Sequence, residues 1–497
     1  MPEDPRLIAQ VGLVLDHLRG AAPFPAAPRW QEDGLDYLYR EHSLFVRRAD
    51  LETVVPALRS YLRAVLDDRE WPPEGGYDPG NPDGPAEEPG EPVALRRSDV
   101  EPRIVPKPVI ADVVRLEYVH PDWAADDPRR VTDSRVVPLV RVPKVVDVLT
   151  EHVVGRGTVR PEAVLYVAPH PCPATEPEEV PRGTHRPFPE VGNRPGHREH
   201  GHPHEHGHHH EHGHRCTGRG TSVVVSDLGL DPRSVRRHDW LTGVEGEYED
   251  PYHRDQNGHR TTIRPYAGHG TFVAGCVRVT APEAEIYVQK YVDPYGAPDA
   301  ADSGAVFESL AVQGLADALG RSPDVVMFEF TAATKDNLPL MGFDALHESL
   351  IRHLPGVAIV TPAGNEGKRD VNWPGAYDWV IAVGALSADW HTRADFSNYG
   401  FWVDVYAPGA DLVNAYPKGR YVCTEDPNVG EERRFRDGMA RWSGTSFSAP
   451  LVAGMIVARS SCTGENPRRA AESLLAAARH QHVPGVGPVL RPGQGCH

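Results

Sequence analysis

Cysteine is scarce in this chain and isolated wherever it occurs. The 497 residues hold 6 cysteines, Cys172, Cys216, Cys276, Cys423, Cys462 and Cys496, with no CxxC pair among them. Such thin spacing excludes a disulfide-dense scaffold and a CxxC redox or zinc site, and it predicts free thiols in a reducing compartment. Cys276 is expected to be a small buried hydrophobe. A continuous apolar run of about 18 residues is also missing, so no transmembrane helix and no membrane partner are expected. Positive charge is in deficit, with 52 Lys and Arg against 70 Asp and Glu for a net charge of −18. That balance argues against nucleic acid as a partner, because phosphate binding needs a basic surface. The opening Met1-Pro2-Glu3-Asp4 lacks the basic region and apolar core of a secretory signal, and the expected location is cytoplasmic. The length predicts two or more domains.

What is present is concentrated in the second half. Trp442–Gly454 runs Trp-Ser-Gly-Thr-Ser-Phe-Ser-Ala-Pro-Leu-Val-Ala-Gly, a glycine-led turn followed by the small apolar residues of a fully packed helix. Ser446 stands at the helix start, where unpaired N–H groups and the positive dipole end favour an oxyanion. Taken alone, the same residues would serve as an ordinary helix cap. A second small-residue helix start, Gly268-His269-Gly270-Thr271-Phe272-Val273-Ala274-Gly275, and an apolar strand ending in acid, Val223-Val224-Val225-Ser226-Asp227, accompany it. Together they supply Asp, His and Ser in that chain order, which differs from the chymotrypsin and α/β-hydrolase orders.

With these three motifs the chain resembles the subtilisin-like serine proteases, the subtilases, over roughly Thr221 to Ala478. The resemblance implies Ser446 as nucleophile, His269 as general base and acid, and Asp227 as the group orienting the imidazole. It also implies Asn365, within Thr361-Pro362-Ala363-Gly364-Asn365-Glu366-Gly367, as an oxyanion donor. Asn372-Trp373-Pro374-Gly375-Ala376 is similar to a segment that holds a cis proline in many subtilases. Ala394–Gly400 and Val405–Gly409 match the region leading to the nucleophile. The implied substrate is a polypeptide, with Phe328, Glu329, Phe330, Ala363 and Gly364 expected beside it. Calcium is a common family ligand, but no site for it is assigned and no cofactor is required.

One departure stands out. Where the family usually has Ser-Leu-Gly, this chain has Glu329-Phe330-Thr331-Ala332-Ala333. The Glu329 carboxylate is expected to reach the cleft and either favour basic substrate residues or raise the His269 pKa, unless it is solvated elsewhere. Tyr421 to Arg441 reads as an inserted hairpin or loop near the nucleophile.

The expected catalytic domain, 219–480, is a three-layer α/β/α sandwich. Continuous apolar strands at Ile286–Gln289, Asp324–Phe328, Val357–Val360 and Val380–Val383 alternate with helices at Ser303–Leu319 and Phe343–Leu354, the pattern of a doubly covered parallel sheet. Residues 1–190 predict a smaller α+β domain. Its strand Leu44–Arg48, helix from Leu51 to Val65, strands Val113–Tyr118 and Leu139–Val142, helix Lys144–Val154 and strand Ala163–Val167 run βαββαβ, the ferredoxin-like order. The Pro, Gly and acid-rich stretch 71–92 reads as a loop. By order and position this region is compatible with a subtilase inhibitory pro-domain, and equally with a retained regulatory module. The first alternative predicts intramolecular inhibition and cutting between about His170 and Thr221.

A tract from His197 to His214 dominates the intervening 191–218. Its imidazoles would bind Ni²⁺ or Zn²⁺, yet the interspersed Gly and Pro favour a linker over a fixed site. Residues 481–497 read as a tail. Besides a serine endopeptidase, a protease-like binding or regulatory protein of weak activity and a metal-handling protein remain open.

Overall fold

The structure, a computed structural model, describes residues 11–15, 18, 26–31, 34–67, 69–73, 76–79, 102–119, 140–167, 175–190, 216–291 and 304–493. The histidine tract and most of the 71–92 stretch lie outside the described residues.

The N-terminal part contains β1 (Ala26–Gln31), β2 (Gly34–Arg47), α1 (Leu51–Leu66), β3 (Arg103–Ile110), β4 (Val113–Val119), α2 (Val142–His152) and β5 (Val159–Val167). Strands β5, β2, β4 and β3 are neighbours in that order, every pair antiparallel, with β1 added on β2. Val54, Leu58 and Leu62 recur at helical spacing on α1 and pack with Val145 and Leu149 of α2 against Leu44 and Val46 of β2.

One sequence expectation fails here. No strand occupies Leu139–Val142: Val142 opens α2, and Leu139 lies outside the described residues. Pro143 falls in the first helical turn, where its fixed φ and missing N–H are no handicap. The partner of β4 is instead β3, a strand not expected from the sequence, which carries Pro106 and Pro108. At the edge of a sheet proline interrupts no ladder on the open side, so the strand survives.

Then come β6 (Glu178–Glu179), β7 (Ser222–Asp227), α3 (Pro232–Arg237), β8 (Val244–Gly246), β9 (Tyr252–Arg254), β10 (Arg260–Ile263), α4 (His269–Thr280), β11 (Glu285–Lys290) and β12 (Ala305–Phe307). The next are α5 (Glu308–Gly320), β13 (Val325–Phe328), β14 (Phe330–Thr331), α6 (Met341–Ser349), β15 (Ala358–Pro362), β16 (Ile381–Leu386) and β17 (Val405–Pro408). Last are β18 (Leu412–Ala415), β19 (Gly419–Val422), β20 (Glu432–Phe435), β21 (Met439–Trp442), α7 (Thr445–Thr463) and α8 (Pro467–His480). The stretch read as an insertion holds most of the antiparallel β19–β20 hairpin, and β19 also pairs with β10.

Strands β17, β16, β15, β13, β7, β11 and β8 form, in that order, one parallel sheet. Alternation along each strand sends side chains to opposite faces. Val223, Val225, Val325 and Met327 pack beneath α4 and α7, whereas Val224, Val326 and Phe328 pack beneath α5 and α6. The result is the three-layer α/β/α sandwich, and its parity decides which way Asp227 and Glu329 point.

The helix expected from Ser303 begins only at Glu308. Ala305–Phe307 pair with β5 as strand β12, a tertiary contact that local helical spacing does not reveal. A further correction concerns cysteine: Cys216 and Cys462 form a disulfide across 246 residues of sequence, joining the entry of β7 to the end of α7. Free thiols throughout were the wrong expectation, because no local spacing announces a pair brought together only by folding. Cys276 and Cys423 are buried and unpaired.

Candidate active site

Asp227 ends β7 and is fully buried. Its Oδ1 accepts the N–H of Leu228 at 2.6 Å, and His269 Nδ1 lies 2.8 Å from Oδ2 and 3.0 Å from Oδ1. Two glycines allow this approach. Gly268 has φ +85°, and a Cβ there would strike the ring of Pro417. A Cβ on Gly270 would overlap Gly229 O and crowd Asp227 Cβ, so only glycine lets the first turn of α4 rest on the end of β7. The Glu249 carboxylate accepts the Gly268 N–H at 3.0 Å and anchors the turn. The imidazole is held edge-on to Trp442 and tilted against Phe447, with ring centroids at 5.7 and 5.4 Å.

Ser446 is the second residue of α7, entirely buried. The preceding Thr445 was not singled out from the sequence, yet it organises the site. Its N–H and Oγ1 donate to Asn365 Oδ1 at 2.8 and 2.9 Å, and its Oγ1 accepts Gly364 N–H at 3.1 Å. With Oδ1 engaged, the Asn365 amide is oriented and its buried Nδ2 is left as a donor without a partner. Asn398 holds the same loop. Its Nδ2 donates to Ala363 O at 3.0 Å, and its Oδ1 accepts Glu366 and Lys368 N–H at 3.1 and 3.0 Å. Asn398 lies in Ala394–Gly400, so a signal for it existed in the sequence even though no role was assigned. Burial pushes the Glu366 carboxyl up to about 8, with a short Asn398 hydrogen bond acting against the rise.

His269 Nε2 and Ser446 Oγ both lack a hydrogen-bond partner. In the described state, therefore, these two atoms are not joined to each other. Such contacts are commonly loose without substrate and tighten in the reacting complex.

The residues expected beside the substrate separate. Phe328 turns away, packing among Tyr291, Phe330 and Phe343 beneath α5 and α6. Phe330 is buried in the same cluster. Ala363 is buried, and Gly364, at φ +100°, sits between the Asn372 and Asn398 amides. Glu329 has no solvent exposure, so its carboxyl lies under the site and not on an open cleft wall. One ligand-type atom each of Asp227, His269 and Glu329 lie within 4.8 Å of one another, the only such group of His, Cys, Asp and Glu side chains among the described residues. The Trp373–Pro374 peptide is cis.

The N-terminal part reaches the same place. Phe330 and Thr331 of β14 pair with Val167 and Tyr166 of β5, while Ala305–Phe307 of β12 pair with its other edge, and Val167 N–H donates to Gly304 O at 2.7 Å. Further along, β6 pairs with β21, and Trp442 Nε1 donates to Thr175 O at 2.5 Å. The chain thus engages β12 and β14 before residue 168 and the Trp442 segment after residue 174.

Among the described residues no helix is long and apolar enough to cross a membrane. The Subtilase family profile matches residues 218–478. An "Intracellular serine protease" of Paenibacillus polymyxa is 29% identical over 254 residues, covering 48% of this chain and 66% of that one. The "Major intracellular serine protease" of Bacillus subtilis (strain 168) is 25% identical over 253 residues, 48% of this chain and 68% of that one. A "Thermophilic serine proteinase" of Bacillus sp. (strain AK1) is 30% identical over 249 residues, 48% of this chain and 51% of that one. The chain thus spans between about half and two-thirds of the length of such curated relatives. The solved structure of fervidolysin from Fervidobacterium pennivorans aligns over 93% of this chain and 61% of its own, at 17% identity and a TM-score of 0.49. Since the family profile covers more than half of the chain, including the residues that build Asp227, His269, Asn365 and Ser446 into one site, this protein belongs to the subtilase family.

Proposed function

We propose that this chain is a serine endopeptidase that hydrolyses peptide bonds in proteins. The observation that carries the reading is the 2.8 Å contact of His269 Nδ1 with Asp227 Oδ2, opposite an unpaired Nε2 and near an unpaired Ser446 hydroxyl. In this scheme Ser446 attacks the carbonyl, His269 takes its proton and returns it to the leaving amine, and Asp227 stabilises the imidazolium. Asn365 Nδ2 and the Ser446 backbone N–H then hold the oxyanion. The test is labelling by a fluorophosphonate probe and mapping of the modified serine. Modification of Ser446 supports the mechanism, and its absence under all conditions defeats it.

We further propose that the N-terminal part restrains the enzyme within the same chain. An extended substrate would add to the edges of β12 and β14 through main-chain hydrogen bonds. Strand β5 already holds both edges, which supports occupation of the substrate path by the chain itself. The alternative of a protease-like regulatory protein of weak activity draws support from the unjoined Ser446 and His269, and the same probe separates the two readings.

No cofactor enters this mechanism. Calcium stays an expectation of family membership, and nickel or zinc binding by the histidine tract stays an expectation of its composition. A cytoplasmic location is supported by the names of two relatives, while the Cys216–Cys462 pair supports an oxidising compartment.

A further inference from the structure

Glu329 stands one strand away from Asp227 on the same face of the sheet. Phe328 is level with Ser226 in the parallel β13–β7 pair, and Glu329 N–H donates to Ser226 O at 3.2 Å. The parity that sends Val225 and Met327 beneath α4 and α7 therefore sends Asp227 and Glu329 there too. Oxygens of the two carboxyl groups and a nitrogen of His269 fall within 4.8 Å of one another, and all three residues are fully buried. Neither Glu329 oxygen has a hydrogen-bond partner. Ser446 Oγ is near enough to influence this carboxyl, but the contact lacks hydrogen-bond geometry.

Two carboxylates this close and this dry do not both stay ionised without a cation between them. Asp227 is the charged member, because His269 and the Leu228 N–H both donate to it. Glu329 has no donor, so it is the member that keeps a proton. Burial first and the Asp227 charge second hold its carboxyl well above the usual range. The other titratable group facing it is the Cys276 thiol of α4, which burial pushes up and keeps neutral, and β15 contributes no titratable side chain.

We propose that Glu329 is a positioning residue of this site: as the neutral acid it hydrogen-bonds Ser446 Oγ and presents the hydroxyl to His269, and on ionising it silences the site. A neutral acid adds no charge where the oxyanion forms. A carboxylate there opposes the oxyanion and no longer has a proton to donate to Ser446 Oγ. The inference rests on the serine peptidase reading above, and it adds a residue for which the triad has no use.

The test follows the pH dependence of Ser446 phosphonylation by a small fluorophosphonate, and of kcat/KM on a peptide, in the full-length protein. Wild type should fall in rate about tenfold per pH unit once Glu329 ionises at alkaline pH, with recovery on return to neutral pH. Glu329→Gln keeps an amide donor beside Ser446 and should lose the alkaline fall. Glu329→Ser, which guards against misfolding of the first variant, should also lose the fall but react more slowly at neutral pH. A flat alkaline plateau in wild type, or an unchanged fall in either folded variant, overturns the inference. Absence of Ser446 labelling at every pH instead defeats the peptidase reading on which it rests.

Discussion

Val167 lies directly across from Phe330 in an antiparallel pair, and Phe330 follows Glu329, the residue beneath Ser446. One edge contact thus ties the end of the N-terminal sheet to the strand that passes under the nucleophile. Val167→Pro removes the N–H that bonds Gly304 O and puts a proline inside a strand paired on both sides. The lost hydrogen bond alone is worth about 1 kcal/mol, so peptidase activity of the full-length protein should rise about fivefold or more. Equal activity in both proteins would refute restraint through β5. Intact-mass analysis of the same samples, with Ser446→Ala as control, reads whether the chain is cut between about His170 and Thr221. A fully active yet uncut wild type makes the N-terminal part a retained module.

Ser446→Ala should abolish peptidase activity, at least about 10⁴-fold in kcat, with an unchanged circular dichroism spectrum. Asn365→Ala should cost about 10²–10³-fold in kcat with little change in KM, the magnitude measured for an oxyanion asparagine in subtilisin itself. An Asn365→Ala variant with wild-type kcat would remove that residue from the mechanism.

Glu308 joins the two parts of the chain and carries a pH dependence of known sign. Its Oε1 accepts Gly342 N–H at 2.8 Å and its Oε2 accepts Ala163 N–H of β5 at 3.4 Å. Burial pushes its carboxyl up to about 8. The folded state therefore holds a proton that the unfolded state releases near the ordinary value of 4.5. The stability contributed is complete below that value, erodes with rising pH and is gone above about pH 8. Glu366 erodes over the same window. Thermal unfolding should show a lower Tm at pH 9 than at pH 6, with a drop on the order of several degrees, and Glu308→Gln should shrink the drop. A Tm indifferent to Glu308→Gln at both pH values would contradict this account.

Cys216 and Cys462 close a long loop, for which the chain-entropy argument gives roughly 5 kcal/mol of stabilisation. Alkylation of the unreduced, denatured protein should leave these two thiols unmodified, and reduction should lower the Tm. Ready labelling of both in freshly isolated protein would mean that the pair is kept reduced where the protein works, in agreement with a cytoplasmic location.

Much of this molecule is local, and what is local was legible. The apolar runs at Val223–Val225 and Val325–Met327, the glycines around His269 and the helix start at Thr445 specify their elements through periodicity and backbone freedom alone. They led to the parallel sheet, to the family and to the candidate Asp227, His269, Asn365 and Ser446. What depends on distant partners was not legible. The strand holding Pro106 and Pro108 is not expected at all until β3 is seen at a sheet edge, and Ala305–Phe307 read as helix until β5 arrives to pair with them. Cys216 and Cys462 carry no mark of each other. Glu329 could be identified as a departure from the family pattern, but its burial beside Asp227 follows from strand register and from two helices closing over one face. A one-residue shift of register would have turned it to the other face of the sheet. The sequence alone determined which residues are candidates for the chemistry, because their types and local spacing are written in it. Only the tertiary structure decided which groups share a dry space and which chain occupies the edges beside Ser446, because those relations arise from packing between segments far apart in sequence.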